Sequence, residues 1–143
     1  MPENIETYRT VTPYLVVPDA DAELKFLTAA FGATEKFCQR NEKNSVMHAE
    51  LHIGDSLIMM GQAGEQFKAK PASLYLWVPN VDEVYQKALS AGATSESAPE
   101  DKPYGHRNAG VVDACGITWW IAVSYTHLDV YKRQHASTTP ALR

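Results

Sequence analysis

Val17-Pro18-Asp19-Ala20-Asp21 returns 61 residues later as Val78-Pro79-Asn80-Val81-Asp82, and Phe31-Gly32-Ala33-Thr34 returns 60 residues later as Ala91-Gly92-Ala93-Thr94. Self-similarity at a fixed offset means that one supersecondary unit occurs twice. Two copies are too few for a solenoid, so the offset predicts one domain with internal pseudo-twofold symmetry. Both motifs sit at the same kind of junction. An apolar run precedes each, Tyr14-Leu15-Val16-Val17 in the first half and Leu74-Tyr75-Leu76-Trp77-Val78 in the second. The proline that follows cannot donate to a β-ladder and stops the strand. Asp19 or Asp21, and Asn80, then offer N-cap side chains. Val81, Val84, Tyr85, Ala88 and Leu89 follow at helical spacing, as do Leu24, Leu27 and Phe31 in the first half. Gly32 and Gly92 are placed to end the helices in the left-handed region.

Three strands are predicted after each helix, near 34–39, 46–53 and 56–61, and near 94–98, 107–113 and 117–122. Gly54-Asp55 suits a tight hairpin between two of them. The fold class read from this order is α+β, βαβββ twice. The first module covers about 8–61, a linker covers 62–71 and the second module covers about 72–122.

The chain has 143 residues, 45% hydrophobic, with 13 Lys+Arg against 17 Asp+Glu for a net charge of −4. That length suits one domain with a real core. The acidity argues against nucleic-acid or anionic-membrane partners, which want a basic face. No apolar run approaches the roughly 20 residues of a membrane span. The polar start, Met1-Pro2-Glu3-Asn4, is unlike a signal peptide. Cys38 and Cys115 make neither a disulfide framework nor a metal knuckle. A soluble, cytoplasmic protein is expected.

The last residues stand apart. Val123 to Gln134, read back into codons, fit a nearly palindromic string that resembles two transposon mosaic ends fused head to head. Residues 123–143 are therefore read as a non-native tail, with the native frame expected to end near Ala122. Without the tail the domain holds 10 basic and 16 acidic residues, a net charge of −6.

Hairpin geometry also assigns faces. With Gly54-Asp55 as a two-residue loop, Ile53 opposes Ser56, Leu51 opposes Ile58 and Glu50 opposes Met59. Opposed residues share a face and faces alternate along a strand. Ala49, Leu51, Ile53, Ile58 and Met60 then pack against the helices. His48, Glu50, His52, Leu57 and Met59 form a mixed face that is either solvated or lines a pocket. The offset of 61 maps Met59 to Trp120 and Thr12 to Ser73, and in a sheet closing on itself these four positions should approach one another.

Four stretches carry a family resemblance: Thr12-Pro13-Tyr14-Leu15-Val16-Val17, Met47 to Ser56, Lys102 to Arg107, and Gly116 to Ala122. They resemble the vicinal oxygen chelate superfamily, also called the glyoxalase/bleomycin-resistance/extradiol-dioxygenase superfamily, and within it the PhnB-like branch. The resemblance implies two βαβββ modules forming an open, curved mixed sheet around a central cleft that serves as a small-molecule pocket, often in a dimer. It also implies that metal-dependent members take one cation ligand from the first and one from the last strand of each module. Those positions here hold Thr12, Met59, Ser73 and Trp120. Two hydroxyls, a thioether and an indole do not make a hard-cation site. No metal is expected there, and a divalent metal is admitted only in a rearranged site.

His48 and Glu50, two apart on one strand, are the candidate acid/base pair, with the solvated strand face as the alternative. Met59, Trp120, Tyr75 and Leu57 are candidate apolar ligand contacts, the aromatics by stacking. Tyr104 and Arg107, in Tyr104-Gly105-His106-Arg107, are candidates at the pocket lip, where the planar guanidinium could grip an anion. Trp119 is read as core, and Cys115 as a residue of the turn Asp113-Ala114-Cys115-Gly116. No phosphate loop, nucleophile elbow or HExxH is present. The favoured expectation is a metal-free protein, working as a homodimer, that holds a small, partly aromatic ligand in the inter-module cleft. The alternatives are a glyoxalase- or isomerase-type enzyme using His48 or Glu50, and a domain whose role is partner binding.

Overall fold

The computed structural model describes residues 8–124. The elements are β1 (Tyr14–Val17), α1 (Ala20–Phe31), β2 (Thr34–Arg40), β3 (Val46–Ile53) and β4 (Ser56–Gln62), then β5 (Ala72–Trp77), α2 (Val81–Ser90), β6 (Thr94–Asp101), β7 (His106–Val112) and β8 (Ile117–Ser124). Their order is βαβββ twice. Each half builds its own four-stranded mixed sheet, ordered β1-β4-β3-β2 and β5-β8-β7-β6.

The repeat offset is written into the strand register. In the first sheet β1 runs parallel to β4, pairing Tyr14 with Met59 and Leu15 with Met60. In the second β5 runs parallel to β8, pairing Tyr75 with Trp120 and Leu76 with Ile121. Adding 61 to one set gives the other. The helix starts match too: Asp19 Oδ1 accepts the Ala22 N–H at 3.1 Å, and Asn80 Oδ1 accepts the Glu83 N–H at 3.1 Å. Gly32 ends α1 in the left-handed region at φ 69°. α2 stops one residue before the expected glycine, on Ala91 at φ −85°. The Ala91 N–H is shared between the Lys87 and Ala88 carbonyls, which tightens the last turn and leaves the positive φ to Gly92.

Two strands outrun their predicted ends by two residues or more. β6 continues through Pro99 to Asp101, which is tolerated because β6 is an edge strand and its register shifts between Ser97 and Glu100. β8 continues past Ala122 because Arg107 and His106 are there to pair with Val123 and Ser124. The remainder of the stretch read as a tail lies outside the described residues.

The Gly54-Asp55 hairpin has the expected register, Ile53 opposite Ser56 and Glu50 opposite Met59. Ala49, Leu51, Ile53, Ile58 and Met60 are all buried. They join Leu27 and Ala30 of α1 with Val81 and Ala88 of α2 and Ile117, Trp119 and Ile121 of β8 in one core that unites the halves. α1 packs on α2, and the Phe31 ring meets the Trp119 ring edge-on at 5.1 Å. The helix-bearing sides of both sheets thus share a single interior. Two four-stranded mixed sheets with two helices are the two-module α+β architecture that the sequence predicts. Of the four positions expected to converge, Ser73 and Trp120 meet on the second sheet, Met59 lies on the open face of the first, and Thr12 precedes β1.

One polar cluster sits inside the junction. Asp113 caps the β7–β8 turn: Oδ1 accepts the Cys115 and Ile117 N–H groups at 2.9 and 3.0 Å, and Oδ2 accepts Trp119 Nε1–H at 2.9 Å. Beside it lies Glu23 of α1, 1% exposed.

Candidate functional site

The outer face of the first module carries an open pocket of about 740 Å³, lined by Tyr8, Phe37, Cys38, Gln39, His48, Glu50 and Met59. Alternation along β3 brings His48 and Glu50 to the same side, and pairing with β2 sets Gln39 beside His48 and Phe37 beside Glu50. His48 Nε2 lies 2.8 Å from Glu50 Oε2. Tyr8 O–H donates to Glu50 Oε1 at 2.8 Å, and Lys36 Nζ stands 3.5 Å from the same oxygen. Glu50 is 3% exposed. Burial alone would raise its pKa, but the bonds from His48 and Tyr8 and the Lys36 charge outweigh it and hold the carboxyl below its usual range. Partial burial and the bond to Glu50 push the Tyr8 phenol up. The Tyr14 and Phe37 rings flank His48 at 5.7 and 6.1 Å. The result is a fixed carboxylate–imidazole pair on a floor with apolar walls. One ring nitrogen is committed to Glu50, so the tautomer and plane of the imidazole are set by that bond.

The outer face of the second module is aromatic. Tyr75, Trp77, His106 and Tyr104 form a chain of ring contacts at 5.2, 5.1 and 5.0 Å. Buried Asn108 anchors it, its Nδ2 donating to Tyr75 Oη at 2.9 Å and to Tyr104 Oη at 3.4 Å. Tyr75, Trp77 and Tyr104 are 47, 55 and 61% exposed. Trp120 shares this face. Its Nε1 donates to Ser73 Oγ at 3.0 Å, and its ring lies on Gly110, where a Cβ would come within 2.6 Å of it.

A third space of about 710 Å³ lies between the modules and includes Thr12, Leu57, Tyr75 and Trp77 in its lining. The expected site residues are therefore distributed. His48, Glu50 and Met59 line the first-module pocket, Leu57 and Tyr75 the inter-module space, and Trp120 and Tyr104 belong to the aromatic face. Arg107 is engaged within the protein. Its Nη2 and Nε donate to Asp82 at 2.9 and 3.2 Å and its Nη1 to Asp101 at 3.3 Å, so the fork reserved for an anionic ligand is filled by two carboxylates.

The positions that the resemblance aligns with the family's metal ligands hold Thr12, Met59, Ser73 and Trp120. Trp120 Nε1 is a donor already spent on Ser73. Met59 lies in the first-module pocket, away from that pair.

Sequence reasoning missed Tyr8, Lys36, Phe37 and Asn108. Tyr8 precedes β1 in irregular chain, where no periodicity assigns a face. Lys36 falls where β2 slips register between Glu35 and Phe37, and a bulge re-aims its side chain. Phe37 and Asn108 were open to alternation arguments through their pairing with Glu50 and Ala122.

Two repeated βαβββ modules, each with one sheet face sealed in a common core and the other open, define a paired-module α+β protein. The chain belongs to the glyoxalase/bleomycin resistance protein/dioxygenase superfamily, whose pattern matches residues 8–121. An uncharacterized protein of Mycobacterium bovis is 32% identical over 140 residues, covering 90% of this chain and 92% of its own length. Among solved structures, TioX from Micromonospora sp. ML1 is 25% identical with a TM-score of 0.66, covering 82% of this chain and 98% of that one. A PhnB protein from Bacillus cereus has the same fold at 18% identity and a TM-score of 0.62, covering 81% and 100%.

Proposed function

We propose that this protein binds a small, partly aromatic molecule in the first-module pocket rather than in the inter-module space. The observation that carries the reading is Glu50: a carboxylate held by Tyr8, His48 and Lys36 beneath the side chains of Phe37 and Met59. Apolar walls with a few fixed polar groups are what orient a planar ligand. The motif stretches on which the PhnB-like resemblance rests include this strand, Met47 to Ser56. A panel of planar aromatic compounds screened by thermal shift and titration calorimetry tests the reading. Binders are expected whose affinity falls at least tenfold in both His48→Ala and Phe37→Ala. Binders indifferent to both substitutions would remove the pocket from consideration.

We further infer that the working unit is a homodimer. The resemblance implies that both modules surround one pocket, yet here their open faces do not meet within a chain. Apposing the first-module face of one copy to the aromatic face of another reconciles the two. Light scattering is expected to report a dimer that Tyr75→Glu with Trp77→Glu converts to a monomer with weakened ligand binding. A wild-type monomer, or a dimer untouched by those changes, would defeat the inference.

The Glu50–His48 bond also favours a second reading, an isomerase- or lyase-type enzyme. A carboxylate that fixes an imidazole is the arrangement of a general base. Turnover of a bound compound that disappears in Glu50→Gln while binding persists would select this reading.

A further inference from the structure

Glu23, Asp113 and Cys115 each bring a ligand-type atom to one spot, all within 4.8 Å of one another. Glu23 comes from α1 of the first module, the other two from the β7–β8 turn of the second. Glu23 is 1% exposed, and outside Asp113 and Cys115, the other two members of the cluster, neither of its carboxyl oxygens has a hydrogen-bond partner. A buried charge without a partner is costly enough that something must neutralise it, either a proton or a cation.

We propose that this cluster is a binding site for a zinc-class divalent cation, held by the Glu23 carboxylate, the Asp113 carboxylate and the Cys115 sulfur, and that the ion ties the two modules together. It is separate from the first-module pocket and independent of the function proposed for it. The donor set selects the ion. A thiolate with two carboxylates suits zinc, cadmium or cobalt and disfavours magnesium or calcium, which take all-oxygen sites. Asp113 is already oriented by three N–H donors, the outer-shell support that ligating carboxylates require. Cys115 Sγ lies 3.3 Å from the Asp19 carbonyl oxygen, which adds an oxygen at the rim of the cluster. Cys115 is only partly buried, so the ion has a way in. In the sequence Cys115 reads as a turn residue, because no base or electropositive setting for a nucleophile is visible beside it. Its partner Glu23 comes from 92 residues earlier in the chain.

Without an ion the same groups hold protons. Burial and the neighbouring Asp113 push the Glu23 carboxyl up to about 9. Burial and the Glu23 charge push the Cys115 thiol up to about 12. Loading is therefore an exchange: one M²⁺ enters and two protons leave, one from the Glu23 carboxyl and one from the Cys115 thiol.

The test uses the full chain, stripped with chelator and dialysed against one equivalent of zinc or cobalt. Elemental analysis is expected to return one ion per chain. The melting temperature should rise with the ion, and calorimetry in buffers of different ionisation enthalpy should report about two protons released per ion. Cobalt should give a thiolate charge-transfer band that vanishes in Cys115→Ser and in Glu23→Gln but survives in Cys38→Ser and His48→Ala. Glu23→Gln keeps the shape and removes the charge, and Cys115→Ser alters a partly exposed turn, so circular dichroism is expected to find both folded. No stoichiometric ion in the wild type overturns the proposal and leaves Glu23 neutralised by a proton. A band that follows Cys38 or His48 overturns it as well, and assigns the ion to the first-module pocket.

Discussion

At Met59 the first module presents a thioether on its open face, and 61 residues later, at Trp120, the second presents an indole bonded to Ser73. Around Met59 stand a carboxylate, an imidazole and an ammonium. Around Trp120 stand three exposed aromatic rings and a carboxamide. The backbones beneath are equivalent in strand order, in the register of the parallel pairs and in the helix N-caps. Core packing constrains only the helix-facing side of each strand. The other side is free to take different chemistry without disturbing the fold.

The sharpest way to break this comparison lies within one strand. Trp119 faces the shared core at 1% exposure and Trp120 faces out. Trp119→Ala is expected to cost about 3–5 kcal/mol in chemical denaturation, and Trp120→Ala about 1 kcal/mol or less. Similar losses at both would mean that the outward face is also load-carrying.

The second expectation sets two glutamates against each other by pH. Glu50 has its pKa lowered in the fold. Its contribution is present above the ordinary carboxylate pKa and fades as pH falls through the lowered value. Glu23 has its pKa raised to about 9. In metal-stripped protein its contribution is present below the ordinary carboxylate pKa and is lost as pH rises toward 9. Denaturation midpoints from pH 3 to 9 should therefore flatten on the acid side in Glu50→Gln and on the alkaline side in Glu23→Gln.

A smaller effect tests how firmly the first pocket is held. Glu50→Ala strips Tyr8 and His48 of their shared acceptor, and an expected loss of about 1–3 kcal/mol is readable by urea titration. The smallest effect sharpens the symmetry itself. Asp19→Ala and Asn80→Ala remove equivalent caps, and each should cost about 1 kcal/mol. Unequal losses would mean that the helices depend differently on their packing.

The fold was legible because repetition, strand-stopping prolines and the Gly54-Asp55 hairpin fix local order and register, and those survive into three dimensions. The site was legible only in part. His48, Glu50 and Met59 emerged from period-two alternation, which needs no knowledge of other elements. Their partners did not: Lys36 arrives through a bulge and Tyr8 from irregular chain. Which way the sheets face each other was not legible either, because amphipathic helices between two sheets satisfy the same hydrophobic pattern as one closed sheet. Glu23 looks like an ordinary first-turn acid on a capped helix, and only docking of the second half buries it.

The edge-on meeting of Phe31 with Trp119 joins residues 88 positions apart. During synthesis the Phe31 ring therefore leaves the ribosome without its Trp119 partner, and stays so until β8 emerges. Contacts of such separation are slow to close and leave apolar surface exposed meanwhile. Each new copy thus passes through a period in which its half-made interior can stick to a neighbour, and the arrival of β8 ends that period.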